Sequence, residues 1–165
     1  ASLVNEASFK DEVLIMKKAL VAVMCSAMVL GAAGCGTSGN EVKTGEISNV
    51  EIAEKGVNLF VKDGTLTNTG ATFILANNSD KDIQYDEPYR IEVKENGEWH
   101  KIDVEVAFIQ PLYTLKPNET AVLEIGWENG YGKLPDGTYR LVKTVNYDDV
   151  ENYESFGVAA EFTIG

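Results

Sequence analysis

The chain has 165 residues, 14 of them basic and 26 acidic, for a formal charge of −12. That balance excludes a nucleic-acid binder, because neutralising phosphates takes clustered Lys and Arg. Two cysteines and one histidine are too few for a zinc finger or an iron–sulfur centre, and a Cys–His or Ser–His–Asp enzyme would have to run through His100 alone.

Residues 1–15, Ala1 to Ile15, precede a segment that should itself be N-terminal, so they read as an upstream extension outside the native protein with Met16 as initiator. Lys17-Lys18 then leads an apolar run from Ala19 to Ala33, and Cys35 follows Gly34. A basic start, an apolar stretch of about fifteen residues and a small-residue zone form the layout of a secretory leader. The run is short of the roughly 20 residues that a spanning helix needs. Residues 16–34 resemble a bacterial lipoprotein signal peptide, with Ala32-Ala33-Gly34-Cys35 in the place of the lipobox and Ala32 where Leu is usual. The resemblance implies a diacylglyceryl group on the Cys35 sulfur, cleavage after Gly34, and a protein anchored by lipid to the cell membrane on its extracytoplasmic side. Cys25 then leaves with the leader, so the mature chain has no disulfide and depends on core packing.

The first 34 residues carry no net charge, and the whole −12 falls on Cys35 to Gly165, with 11 basic and 23 acidic side chains. Such a domain is repelled by an anionic membrane surface, which points to a partner beyond the lipid. Residues 35–45 are rich in Gly, Ser and Thr and read as a flexible tether, leaving 46–165 as the folded domain.

From about Ile47 the apolar period becomes two. Val50 and Ile52 alternate with polar neighbours, and Val57, Leu59 and Val61 repeat the pattern up to Asp63-Gly64. Ala71 to Ala76 is a nearly continuous apolar run, as in a central strand, and Asn77-Asn78-Ser79-Asp80 stops it. Tyr89, Ile91 and Val93 alternate up to Glu95-Asn96-Gly97-Glu98, whose Asn-Gly pair suits a tight hairpin into Trp99–Val104. Beyond Pro111 and Pro117, Thr120–Trp127, Gly137–Val145 and Phe156–Ile164 complete the set, with no helical period after residue 35. Seven or eight short strands predict an all-β, antiparallel sandwich, with Pro88, Pro111 and exposed charges protecting its edges.

The turn Leu134-Pro135-Asp136-Gly137 into Tyr139-Arg140-Leu141 is similar to the entry of strand F in an immunoglobulin-like sandwich. There a tyrosine bonds back to upstream backbone, and Leu141 takes the core position of the second antibody cysteine. Leu115-Lys116-Pro117-Asn118-Glu119-Thr120 matches an L-K-P-G-E-T turn, with Asn118 for Gly. Together with Asn77–Lys81 and the Asn96-Gly97 hairpin, the stretch from Val57 to Ile164 resembles the bacterial Ig-like domain family. The resemblance implies secreted lipoproteins of Gram-positive bacteria or extracellular appendages of membrane sensor peptidases.

Candidate sites are sparse. His100 has no partner fixed around it in sequence and reads as a solvated strand residue. Asp80, Asp82, Asp86 and Glu87 fall between two strands, and Asp148, Asp149, Glu151 and Glu154 precede the last one. Such loops offer oxygen ligands to calcium, but neither has EF-hand spacing, and solvation of an acidic surface accounts for them. Tyr85, Tyr89, Tyr113, Trp127, Tyr131, Tyr147 and Tyr153 could stack on sugars or anchor a protein interface, with Trp127 placed in the core by alternation. Asn77-Asn78-Ser79 matches an N-x-S pattern that carries little meaning in a bacterial lipoprotein.

The expected function is a non-enzymatic binding module at the envelope, with no cofactor and a protein or glycan partner. The alternatives are a protease-inhibitor-like sandwich, which needs an exposed, poorly charged loop, and a carboxylate-based or metal-assisted hydrolase, which needs converging carboxylates in a concave pocket.

Overall fold

The computed structural model describes residues 42–53, 55–109, 111–148 and 154–165. The upstream extension 1–15, the leader 16–34, the lipidation residue Cys35, and Asp149, Glu151 and Tyr153 lie outside the described residues. Among the described residues no helix is long and apolar enough to cross a membrane.

Ten strands are described: β1 Thr44–Ile47, β2 Val57–Val61, β3 Gly70–Asn77, β4 Ile83–Tyr85, β5 Arg90–Glu95, β6 Glu98–Ile102, β7 Tyr113–Leu115, β8 Thr120–Gly126, β9 Gly137–Tyr147 and β10 Ser155–Ile164. They form two antiparallel sheets. The three-stranded one has the order β2-β3-β8. In the seven-stranded one, β9 pairs along its length with β10 on one side, and on the other with β5 and then β4. β6 and β1 continue outward from β5, and β7 from β4.

The alternation in the sequence becomes the two inner faces. Val57 and Leu59, Ala71, Phe73 and Leu75, Ile91 and Val93, Tyr139, Leu141 and Val145, and Phe156, Val158, Ala160 and Phe162 form one buried core. At its centre Phe162 packs against Trp127, Tyr139 and Phe73, with ring centroids 5.4, 5.9 and 6.2 Å apart. Trp127 is buried as expected, and its Nε1 donates to the Asn68 carbonyl. The Tyr139 hydroxyl donates to the Pro135 carbonyl at 2.9 Å, closing the expected tyrosine corner. Asn96 and Gly97 both have positive φ, 51° and 89°, as the hairpin requires, and Asn118 takes the glycine conformation at φ 63°.

Several expectations change. The seven or eight expected strands become ten; β4 and β7 have only three residues each, too few to show a period. β1 begins at Thr44, so sheet pairing reaches into the stretch read as tether. Val50 and Ile52 are not in a regular strand; Ile52 makes an isolated parallel bridge to Gly157. Glu128–Tyr131 forms one helical turn, α1, ended by Gly132 at φ 71°. Pro88 does not guard an edge: it lies between β4 and β5, which both pair with β9.

The segment 48–53 forms a strap over the outer face of the large sheet. Ser48 N donates to the Trp99 carbonyl on β6, and Ala53 N to the Gly157 carbonyl on β10. Under it Glu92 is fully buried, accepting from Ser48 Oγ at 2.6 Å and from Arg140 Nε and Nη2, both at 2.7 Å. The Arg140 guanidinium also lies over Trp99, 4.6 Å from the ring centroid.

Candidate functional site

One cavity of about 540 Å³ opens beside β8. Its walls are Tyr85 at the end of β4, Tyr113 at the start of β7, Tyr89 and Phe108, and the whole stretch from Val122 to Gly126. Tyr85 and Tyr113 sit opposite each other in the β4–β7 register and stack at 5.3 Å. Phe108 meets Tyr89 edge-on at 5.0 Å, and Tyr131 stacks behind Tyr89 at 6.1 Å. Val106 closes the α1 side so tightly that a Cβ on Gly130 would come within 2.8 Å of it.

Lys143 explains why strands β4 and β5 are separate. It points inward from β9, and its Nζ donates to the carbonyls of Asp86, Glu87 and Pro88 at 2.6, 3.3 and 3.2 Å. These carbonyls belong to the break between the two strands, and three bonds use all three ammonium protons. Burial lowers the Lys143 pKa, against the opposing pull of Asp86 and Glu87. Lys143 is therefore a pin for the aromatic wall.

The remaining charge in the lining is acidic: Asp86, Glu87 and Glu124. Glu87 accepts from the Tyr113 hydroxyl at 2.9 Å, and that bond, with a smaller share from burial, raises the Tyr113 pKa. Burial, helped by Tyr131, pushes Tyr89 up to about 12. At neutral pH the tyrosines are uncharged, and the walls offer π faces beside carboxylates. That combination favours cations and basic side chains.

Exposed apolar residues lie in the lining, at Tyr113 and Val122, and next in the chain to lining residues, at Ile109 and Leu112. Ile109 and Leu112 are 79% and 61% exposed and belong to an uncharged run, Val106 to Leu115, in an otherwise acidic chain. Val122 is 61% exposed and belongs to a cross-strand row with Ile74 and the exposed Phe60 on the outer face of the small sheet.

The candidate residues from the sequence separate here. Asp80 and Asp82 precede β4 and Asp86 and Glu87 follow it, so the supposed single acidic loop is two. Among the described residues no three potential ligands converge as a metal site. His100 lies opposite Val93, with Nδ1 3.3 Å from the Gly45 carbonyl; it is half-buried and tied to β1, not freely solvated. Of the tyrosines, Tyr85, Tyr89 and Tyr113 converge on the cavity, whereas Tyr131 bonds to Ile91 N and Tyr147 to the Lys55 carbonyl. Asn77 is fully buried, with its side chain bonded to Lys81, Leu115 and Ser79, so the N-x-S match is structural. Sequence reasoning missed Phe108, Glu124 and Lys143; the uncharged Val106–Leu115 run was the available signal for Phe108.

The chain matches no curated protein and no solved structure. Residues 53–163 match the bacterial Ig-like domain, typically a surface binding or interaction module and typically non-catalytic. That span takes in both sheets from the end of the strap to the last strand, and the chain belongs to the bacterial Ig-like domain family.

Proposed function

We propose that this protein is a lipid-anchored, extracytoplasmic binding module that holds a protein partner at the cell envelope without acting as an enzyme. The observation that carries the binding reading is an aromatic cavity whose lining includes the exposed Tyr113 and Val122, with the exposed Ile109 and Leu112 next in the chain to the lining residues Phe108 and Tyr113. The chemistry of the lining supports binding over catalysis. Among the described residues it contains no histidine, cysteine or serine, its lysine is committed to three carbonyls, and Glu87 is held by Tyr113. The anchor rests on the basic start, apolar run and Cys35 of the leader-like segment.

Two measurements test the reading. Radiolabelled fatty acid should be incorporated by the wild-type chain and not by Cys35→Ala; label that persists in the variant removes the anchor. A photo-crosslinking residue at Val122 should capture an envelope protein in intact cells, whereas one at Thr144, exposed on the large sheet, should not. Equal capture at both positions, or at neither, removes the binding role of the open side. The exposed, uncharged loop also favours the inhibitor-like reading, in which Ile109 and Leu112 would enter a protease cleft. Inhibition of a serine or cysteine protease, abolished by Leu112→Asp, would select it.

A further inference from the structure

We propose that the free edge of β8 accepts an extended, basic segment of a partner protein as an added strand, with lysine or arginine side chains entering the aromatic cavity. This inference rests on the binding reading above and names the chemistry of the partner.

The edge follows from the ladder. Asn77 N donates to the Glu119 carbonyl and Trp127 N to the Thr69 carbonyl, so both are hydrogen-bonded pairs between β3 and β8 and their connections. In an antiparallel ladder such pairs alternate. Ala121, Leu123 and Ile125 therefore bond to β3, whereas Val122 and Glu124 turn their N–H and C=O groups away from it. The sheet order ends at β8, and among the described residues no backbone bond reaches Val122 or Glu124 from the open side. Unpaired strand edges are templates for another chain. No proline lies in β8, and its lone charge, Glu124, is acidic.

Side-chain alternation sets the register of the occupant. The cavity runs along the same edge, from Val122 to Gly126, so residues of an added strand that face inward meet Tyr85, Tyr89, Phe108 and Tyr113 with Asp86 and Glu87 nearby. Those positions suit lysine or arginine. Residues facing outward extend the Phe60–Ile74–Val122 row and suit valine or threonine. A second copy of this chain fits poorly, because pairing β8 with itself would bring Glu124, Asp86 and Glu87 of two acidic domains together.

The test uses the full chain in detergent and a capped, fluorescent heptapeptide alternating lysine with valine or threonine. Anisotropy should show saturable binding. A peptide of equal charge, N-methylated at alternate amides so that it cannot pair, should bind about tenfold more weakly, and a glutamate-for-lysine peptide should not bind. Val122→Pro, which removes a donor directed away from β3, and Glu124→Lys, an exposed change that leaves the ladder intact, should each weaken the lysine peptide by a similar factor. Equal affinity for the N-methylated peptide would overturn strand addition, as would binding insensitive to both variants. Displacement of the lysine peptide by an N-acetylglucosamine tetramer would assign the cavity to glycans instead. Crosslinking from Val122 that succeeds while the peptide fails would overturn this inference and leave the binding role standing.

Discussion

The two outer faces of the sandwich have opposite fates. On the large sheet the strap 48–53 crosses from β6 to β10 and seals Glu92 and Arg140, a charged pair, beneath it. On the small sheet nothing among the described residues covers the row of Phe60, Ile74 and Val122, which is apolar and meets solvent. Composition alone would suggest the reverse, with charge outside and apolar residues covered. A charge is kept inside where its partner has fixed geometry. An apolar row left outside, next to an open edge and a cavity, is the surface on which the proposed binding role rests. The first face serves stability, and the second is the surface that the proposed binding role would use.

Arg140→Leu should break the sealed face most. It strands the buried Glu92 carboxylate with Ser48 and, at 3.6 Å, the half-exposed Arg90, and should cost about 3 kcal/mol in urea unfolding. Adding Glu92→Leu should recover most of that loss, because two apolar residues leave no buried charge unpaired. No recovery in the double variant would mean that the Arg140 stack on Trp99 or the strap itself dominates.

Gly157→Ala tests the strap directly. A Cβ there would lie 2.9 Å from both the Glu51 carbonyl oxygen and Val50 Cγ1, so strap and β10 must part. The expected cost is about 1–3 kcal/mol, with faster amide exchange at Ala53, whose N–H bonds to Gly157. An unchanged exchange rate at Ala53 would show that the strap absorbs the methyl group.

Alkali should act from the open side. Tyr89 ionises only near pH 12 in the fold, above its ordinary value of 10.0, so the fold holds the proton that the unfolded chain releases. Its contribution is complete below pH 10 and is lost as pH rises towards 12. Lys143, lowered by burial, works with the opposite sign in the window that ends at its ordinary 10.5. The urea midpoint of the wild type should therefore fall above pH 10.5, and that of Tyr89→Phe should fall less. Parallel curves would remove Tyr89 from the account.

Phe60→Thr should be the mildest change for stability, within about 0.5 kcal/mol, since an exposed ring is replaced by a good strand former. Affinity for a partner captured at Val122 should nevertheless fall. A large loss of stability would show that the bare row is structural after all.

Much of this fold was legible residue by residue. Alternation in Phe156–Ile164 gave its inner face, Asn96-Gly97 gave the hairpin, and Tyr139 after Pro135 gave the corner, because each is local chemistry acting over a few residues. The strap was misread as an ordinary strand, since Val50 and Ile52 alternate as strand residues do while bonding through one bridge. The burial of Glu92 and Lys143 has no signal in their neighbours, since it depends on Ser48 and on residues 86–88, far away in the chain. Three of the seven noted aromatic residues line the cavity, but their convergence was not visible, because β4 and β7 are too short to announce themselves.

That two apolar faces exist, and where most strands begin and turn, follows from the order of residues alone, since side-chain period and turn chemistry are properties of neighbours. Which face would be sealed, which charge buried and which edge left open were decided only when distant strands paired. A strap, a lysine pin and a free edge are relations between segments, and no single segment carries them.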